Sequence, residues 1–400
     1  MIKTQQAPAT AMEISPWPWF SPEERAAADA VLASGKINYW TGQETRSFER
    51  EYAAYLDVER TIALTNGTVA LELPLRMWGI GPGDDVIVTP RSFIASVSCA
   101  VLQGARPIFA EVDRDSGNIT AESIARVLTP RTRAIIPVHL AGWPCDMDPI
   151  MALAEERGIK VLEDCAQAHG ARYKGRPVGS IGHAAAFSFC QDKIMTTAGE
   201  GGLLATDDTG LWDKAWSFKD HGKTWEAVYE RQHPPGPTFR WVHDRFGTNW
   251  RLTEPQSAIG RIQLRKLDSS IETRRRNASI YAQRLAPISA LRLPTVPAGF
   301  FHAQYKFYAY IRPEALKSGW TRDRILQEAA TRGIPCFAGS CSEIYREGAF
   351  RDTGWVPAER LPIARELGEN SLMFLVHPTL SEDQVHRICD VVQEIFAAAS

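Results

Sequence analysis

Lys193 follows Ser188-Phe189-Cys190-Gln191-Asp192 and precedes Thr196-Thr197-Ala198-Gly199-Glu200-Gly201-Gly202. A lysine just past a short β run, with a hydroxyl five residues before it and a glycine-rich return behind it, suits an amine held on the floor of a pocket. Upstream, Asp164 closes another apolar run, Lys160-Val161-Leu162-Glu163-Asp164. An amine and a carboxylate at neighbouring strand ends are what pyridoxal phosphate asks of a protein. The lysine forms a Schiff base with the aldehyde, and the aspartate keeps the ring nitrogen protonated so that the ring draws electrons.

Thr65-Asn66-Gly67-Thr68-Val69-Ala70-Leu71 follows an apolar strand and opens a helix. Gly67 lets backbone amides approach a ligand closely, Thr68 adds a hydroxyl, and a helix N-terminus favours an anion such as phosphate. Ser188 supplies a second hydroxyl. Gln167, one turn beyond Asp164, suits a hydrogen bond to the ring's phenolic oxygen, and Phe93, after Thr89-Pro90-Arg91-Ser92, suits stacking on the ring face. Each has a plainer reading by itself: a capped turn, a strand serine, a core aromatic, a surface lysine. Falling together at strand ends of one α/β region, they form a site, because parallel sheets gather ligand-binding groups along one edge.

The elements that must position them are short apolar runs: Thr61–Leu64, Val86–Thr89, Pro107–Ala110, Ala134–Val138, Val161-Leu162, Ala186–Phe189 and Leu203–Thr206. Several are continuous rather than alternating, as in strands covered on both faces. Helix-length stretches such as Ala121–Leu128 and Met147–Arg157 separate them, which predicts a three-layer α/β domain with a largely parallel sheet. Ser21-Pro22-Glu23-Glu24 predicts a capped helix running to about Ala33. Past Gln256, Leu264, Leu267, Ile271, Ala278, Tyr281, Ala282 and Leu285 keep a helical period and predict one long helix leaving the first domain. Arg274-Arg275-Arg276 reads as its solvated face. The remainder alternates strand-like Phe307–Ile311 with helical Arg322–Thr331 and Asp383–Ala398, a smaller α/β domain. The expected division is an N-terminal arm (1–15), a large domain (16–262) and a small domain with its linking helix (263–400).

With 23% charged and 44% hydrophobic residues and a net charge of -2, the chain reads as a globular enzyme without the basic surface that nucleic acid or an anionic membrane attracts. No apolar run reaches the roughly 18 residues that span a bilayer. Met1–Gln6 lacks an apolar leader, so a cytoplasmic location is expected. The seven cysteines are scattered, and Cys336 with Cys341 lacks a second pair, so they read as buried small hydrophobes rather than metal ligands.

At Asn66–Leu71, Glu163–Gly170, Phe187–Gly202 and Gly247-Thr248-Asn249-Trp250-Arg251 the chain resembles the DegT/DnrJ/EryC1/StrS aminotransferases, the sugar aminotransferase branch of fold-type I pyridoxal-phosphate enzymes. The resemblance runs from about Trp40-Thr41-Gly42 to the C-terminus. It implies an aspartate aminotransferase-like α/β fold, with Lys193 as the Schiff-base residue, Asp164 on the ring nitrogen and Gln167 near the phenolic oxygen. It also implies Gly67, Thr68 and Ser188 on the phosphate, Phe93 on the ring, and Asn249 reaching the phosphate of the neighbouring subunit's cofactor, hence a homodimer with shared sites. The implied activity moves an amino group from glutamate or glutamine, through pyridoxamine phosphate, to a keto group of a nucleotide-linked deoxysugar.

Three departures from the family pattern stand out. The segment before Phe93 is one residue short, Trp225–Phe246 is long enough for a loop over the site, and Phe374-Leu375-Val376-His377-Pro378 replaces the usual leucine-proline-leucine-histidine-proline. Arg251 and His221 are candidates for a donor carboxylate or substrate phosphate. A cyclitol aminotransferase acting on a scyllo-inosose-type ketone is the alternative. A sugar dehydratase, which carries histidine at the lysine position, and a non-catalytic cofactor-binding regulator fit less well. The nucleotide (GDP, UDP or dTDP) and the aminated carbon (C3 or C4) are not encoded in any motif. Specificity is expected from the region near Trp40, the Trp225–Phe246 loop and the small domain.

Overall fold

The computed structural model describes residues 14–400; most of the expected arm, and the segment Met1–Gln6, lie outside the described residues. Helices α1 (Pro22–Ser34) and α2 (Glu44–Leu56) lead into β1 (Arg60–Leu64). Then α3 (Gly67–Met77), β2 (Asp85–Val88), α4 (Ala95–Leu102), β3 (Arg106–Phe109), α5 (Ala121–Ala125), β4 (Thr132–Ile136), α6 (Met147–Arg157) and β5 (Lys160–Asp164) alternate. A hairpin of β6 (Arg172–Tyr173) and β7 (Arg176–Pro177) precedes β8 (Ala184–Ser188), β9 (Gly202–Thr206) and α7 (Thr209–Lys219).

Seven of these strands form one sheet in the order β1-β9-β8-β5-β4-β2-β3. Only β9 runs against its neighbours; the others are parallel. The runs Val86-Ile87-Val88 and Ile135-Ile136 are fully buried because helices cover both sheet faces. The capping box at Ser21 and Glu24 starts α1, and buried Glu24 goes on to accept from Gln263 Nε2 at 2.9 Å, tying α1 to a later helix. Gly158, in the left-handed region, ends α6 where a strand must begin immediately.

The rest of the chain supplies α8 (Glu254–Arg265), α9 (Leu267–Leu285), β10 (Leu291–Arg292), β11 (Phe300–Phe301), β12 (Lys306–Ile311), α10 (Arg322–Thr331), β13 (Cys336–Phe337), α11 (Pro362–Asn370), β14 (Ser371–Leu375) and α12 (Glu382–Ala399). Strands β10, β12, β14 and β13 make an antiparallel sheet, against which Ala278, Tyr281, Val385, Ile388 and Val392 pack from α9 and α12. The long helix expected past Gln256 is two helices that meet at Lys266, so Leu264 belongs to α8 and the later periodic residues to α9. Arg274 is also not on a solvated face. Its spacing of three from Ile271 and seven from Tyr281 puts it on the buried stripe of α9, at 1% exposure, whereas Arg275 and Arg276 do face outward. Helical period, not the charge run, decides its position. The helix expected over Ala121–Leu128 stops at Ala125.

Candidate active site

A cavity of about 1060 Å³ opens at the C-terminal edge of the parallel strands, where β5, β8, the turn after β1 and the loop after β2 converge. Asp164, the last residue of β5 and 3% exposed, forms part of its wall. Its Oδ2 accepts from Ser96 Oγ at 2.6 Å and its Oδ1 from the Ala166 amide at 3.0 Å. Ser96 Oγ lies 2.8 Å from Ser92 Oγ, so two hydroxyls one helical turn apart aim the carboxylate. Gln167 Oε1 accepts from the Ala141 amide at 2.8 Å, which orients the side chain and leaves its Nε2 donors at the cavity wall.

Asn66 caps α3, its Oδ1 accepting from the Val69 amide at 3.0 Å. The Gly67 and Thr68 amides of the first turn have no hydrogen-bond partner among the described residues. Ser188 ends β8 directly against them. A Cβ on Gly67 would lie 2.6 Å from Ser188 Cβ, so only glycine permits this approach. Gly202 serves the same turn from beneath, where any Cβ would overlap the Asn66 carbonyl. Behind Ser188, His169 Nε2 donates to the Ser188 carbonyl at 2.8 Å and its Nδ1 accepts from the Tyr52 hydroxyl at 2.7 Å. Burial pushes the His169 pKa down to about 4, which keeps this ring neutral.

Lys193 reaches the same cavity across Tyr305, with Nζ 5.3 Å from the ring centre. Among the described residues it makes no side-chain hydrogen bond or ion pair, so its amine is uncommitted. Its carbonyl accepts from Trp17 Nε1 at 3.1 Å, and the Tyr305 hydroxyl donates to Asp192 next door. Phe93 lines the cavity at 65% exposure, a ring face open to a flat ligand. The donor set fits pyridoxal phosphate: an uncommitted amine, a buried oriented carboxylate, a side-chain amide donor, and a glycine cradle of free amides and hydroxyls at a helix N-terminus.

Asn249 does not join this cluster. It is exposed on its own chain, paired through the backbone with Asp220. Arg251 and His221 are likewise absent from the cavity wall. Arg251 Nη1 donates to buried Asp220 at 2.7 Å, which explains its position by an internal ion pair. The Trp225–Phe246 segment does not lie over this cavity either. Trp225 packs on Trp216 of α7 at 5.4 Å and on Tyr229 at 4.3 Å, which anchors the start of the segment on α7, and none of its residues lines the cavity.

Ser96, Tyr305 and Lys306 line the cavity without having been singled out in the sequence. The spacing of Ser92 and Ser96 is the one local signal among them. Of the cysteines, Cys341 departs from the expected burial and stands exposed on the cavity wall. His139, Glu163 and Cys165 come within metal-binding reach of one another, yet the imidazole and the carboxylate are already paired. His139 Nδ1 accepts from the Cys145 amide and its Nε2 donates to Glu163, whose oxygens also accept from the amides of Gly179, Ile181 and Gly182. Those donors hold the Glu163 carboxyl below the usual range despite its burial, and the cluster is structural.

Residues 20–393 match the profile of the DegT/DnrJ/EryC1/StrS aminotransferase family. The chain is 36% identical over 370 residues to a UDP-N-acetyl-3-dehydro-alpha-D-glucosamine 3-aminotransferase of Acidithiobacillus ferrooxidans, covering 91% of this chain and 93% of that one. It is 35% identical over 373 residues to a dTDP-3-amino-3,4,6-trideoxy-alpha-D-glucose transaminase of Streptomyces venezuelae, covering 93% and 92%. Among solved structures, an aminotransferase from Psychrobacter cryohalolentis superposes with a TM-score of 0.94 at 53% identity, covering 96% of this chain and 99% of that one.

Proposed function

The chain belongs to the DegT/DnrJ/EryC1/StrS aminotransferase family, which is pyridoxal-phosphate dependent, and on that premise we propose that it aminates the keto carbon of a nucleotide-linked deoxysugar at the expense of glutamate or glutamine. The observation that carries the site assignment is the convergence of uncommitted Lys193, oriented Asp164 and the Gly67 cradle on one cavity. The acceptor class is supported by the two relatives named for reactions of UDP- and dTDP-linked sugars.

Pyridoxal phosphate, when bound, supplies an electron sink for the carbanion formed at the donor's α-carbon. In our assignment Lys193 Nζ would hold the cofactor through its aldehyde carbon until the donor's amine displaces it, and the freed amine would then take the donor's α-proton and later return a proton to the sugar carbon that receives the amine. Asp164, fixed by Ser96 and the Ala166 amide, would pair with the ring nitrogen. Gln167 Nε2 would donate to the phenolic oxygen, and Phe93 would cover the ring. The amides of Gly67 and Thr68 and the hydroxyls of Thr68 and Ser188 would hold the phosphate. Asn249 contributes to the site of a second copy, which makes the homodimer the working unit.

We further divide the chain into a cofactor-binding domain (16–262) and a smaller domain (263–400), and assign it to the cytoplasm. All seven cysteines are free, which is compatible with a reducing compartment; recovery in a periplasmic or secreted fraction would contradict that assignment. The acceptor is tested by incubating the purified protein and glutamate with keto-sugars linked to GDP, UDP or dTDP and with scyllo-inosose. Amination of a nucleotide sugar is expected. Turnover confined to scyllo-inosose would replace the sugar reading with the cyclitol one.

A further inference from the structure

Two side chains with a positive charge line the cavity, Lys193 and Lys306. Asp192, Glu200 and Glu347 line it as well, so anions are repelled from most of the wall. An amino-acid donor nevertheless has to place its carboxylate next to the carbon that loses a proton. Lys193 is committed to the chemistry, which leaves Lys306 as the one other basic side chain on the wall among the described residues to receive that carboxylate.

Lys306 opens β12 and projects beside Lys193 over the same ring: Nζ lies 4.7 Å from the Tyr305 centre, against 5.3 Å for Lys193. Among the described residues its ammonium group makes no hydrogen bond and no ion pair. The carboxylate beside it, Asp192, accepts the Tyr305 hydroxyl instead. Arg274 stands behind Tyr305, buried, with Nε and Nη2 unpartnered, and adds positive potential without reaching the wall. Burial, reinforced by Arg274 and Lys193 and opposed by Asp192, lowers the Lys306 pKa to about 8. A half-buried ammonium ion whose neighbouring carboxylate is engaged by another donor is costly, and a ligand carboxylate in direct contact lowers that cost.

We infer that Lys306 docks the carboxylate of the amino donor beside Lys193. This rests on the amino-transfer reading above and adds a residue that determines donor binding. A carboxylate can also come from a uronic-acid acceptor, and the two half-reactions distinguish these sources. The nucleotide diphosphate of an acceptor is separated from the reacting sugar carbon by several bonds, so it fits this position less well than a group attached to the reacting carbon itself.

The test uses cofactor-loaded protein and follows each half-reaction spectroscopically. In Lys306→Met, the L-glutamate concentration giving half-maximal rate should rise by about tenfold or more, and Lys306→Arg should recover most of it. Binding of glutarate, a dicarboxylate without an amine, should weaken by a similar factor in calorimetry, while saturation by the keto-sugar in the second half-reaction stays within about threefold. Lys306→Gln repeats the comparison if the methionine variant is poorly folded. Unchanged glutamate and glutarate saturation would overturn the assignment, as would a loss confined to the keto-sugar half. A wild-type protein whose chromophore no amino donor alters would overturn the amino-transfer reading itself, and this assignment with it.

Discussion

Asp164 is immobilised before any ligand arrives. Each of its oxygens has a separate donor, Ser96 Oγ and the Ala166 amide, and its own backbone bonds to Pro137 and His139 across to the β4 side. In the proposed role, such prior orientation would let a single negative charge act on the ring nitrogen without reorganisation during the reaction. Asp164→Asn keeps the shape and removes the charge, so turnover is expected to fall by roughly a hundredfold or more while cofactor content changes little. Steady-state rates alongside cofactor titration check this; wild-type turnover in the variant would remove Asp164 from the ring nitrogen. Lys193, Asp164, Gln167 and Ser188 were legible in the sequence because each closes or follows a short apolar run. Ser96 was not, since its partner is 68 residues away and its spacing of four from Ser92 does not by itself point to a carboxylate. Lys306 likewise looks like any lysine opening a strand, and only the tertiary fold brings it over Tyr305.

At the scale of elements, the cradle depends on how closely α3 approaches the ends of β8 and β9. Gly67 and Gly202 are both required, one against Ser188 and the other beneath Asn66. Gly202→Ala forces the turn away from the sheet, at a cost of about 1–3 kcal/mol in an over-packed site. Weaker cofactor retention is expected in equilibrium dialysis, together with a lower melting temperature; retention equal to wild type would show that the turn does not hold the phosphate. The strand runs, α6 and the capped start of α1 could be read from apolar patterning and cap residues. The break at Lys266 and the burial of Arg274 could not. A continuous helical period does not reveal a break in the helix, and a run of three arginines conceals that one of them occupies the core stripe. The Trp225–Phe246 segment was misplaced for a related reason. Its aromatics looked like a lid, whereas Trp225 and Tyr229 are anchors on Trp216.

For the molecule as a whole, several features remain outward-facing that an isolated chain does not use. Phe239, Trp241 and Phe246 are exposed on the anchored segment, Asn249 is exposed next to it, and the cavity with Phe93 stands open. Exposed aromatic rings grouped on one segment are typical of buried interface centres. The proposed homodimer would place such groups against a second copy and supply Asn249 to its site. Light scattering of the purified protein should therefore give twice the 44.5 kDa chain mass, and a monomer that turns over at the full rate would contradict shared sites. The family likeness made the dimer expected, but the exposed rings themselves had no sequence signature, because exposure is a property of the packed chain.

Lys193 carries the amine on which every other assignment depends. The most direct measurement compares wild-type and Lys193→Ala protein, each given pyridoxal phosphate and then glutamate, by visible absorbance and by amine transfer to a keto-sugar. The alanine variant should lose the band of lysine-bound cofactor and all transfer, while retaining its fold by circular dichroism. A Lys193→Ala protein that keeps that band, or still transfers the amine, would show that the reaction uses another residue.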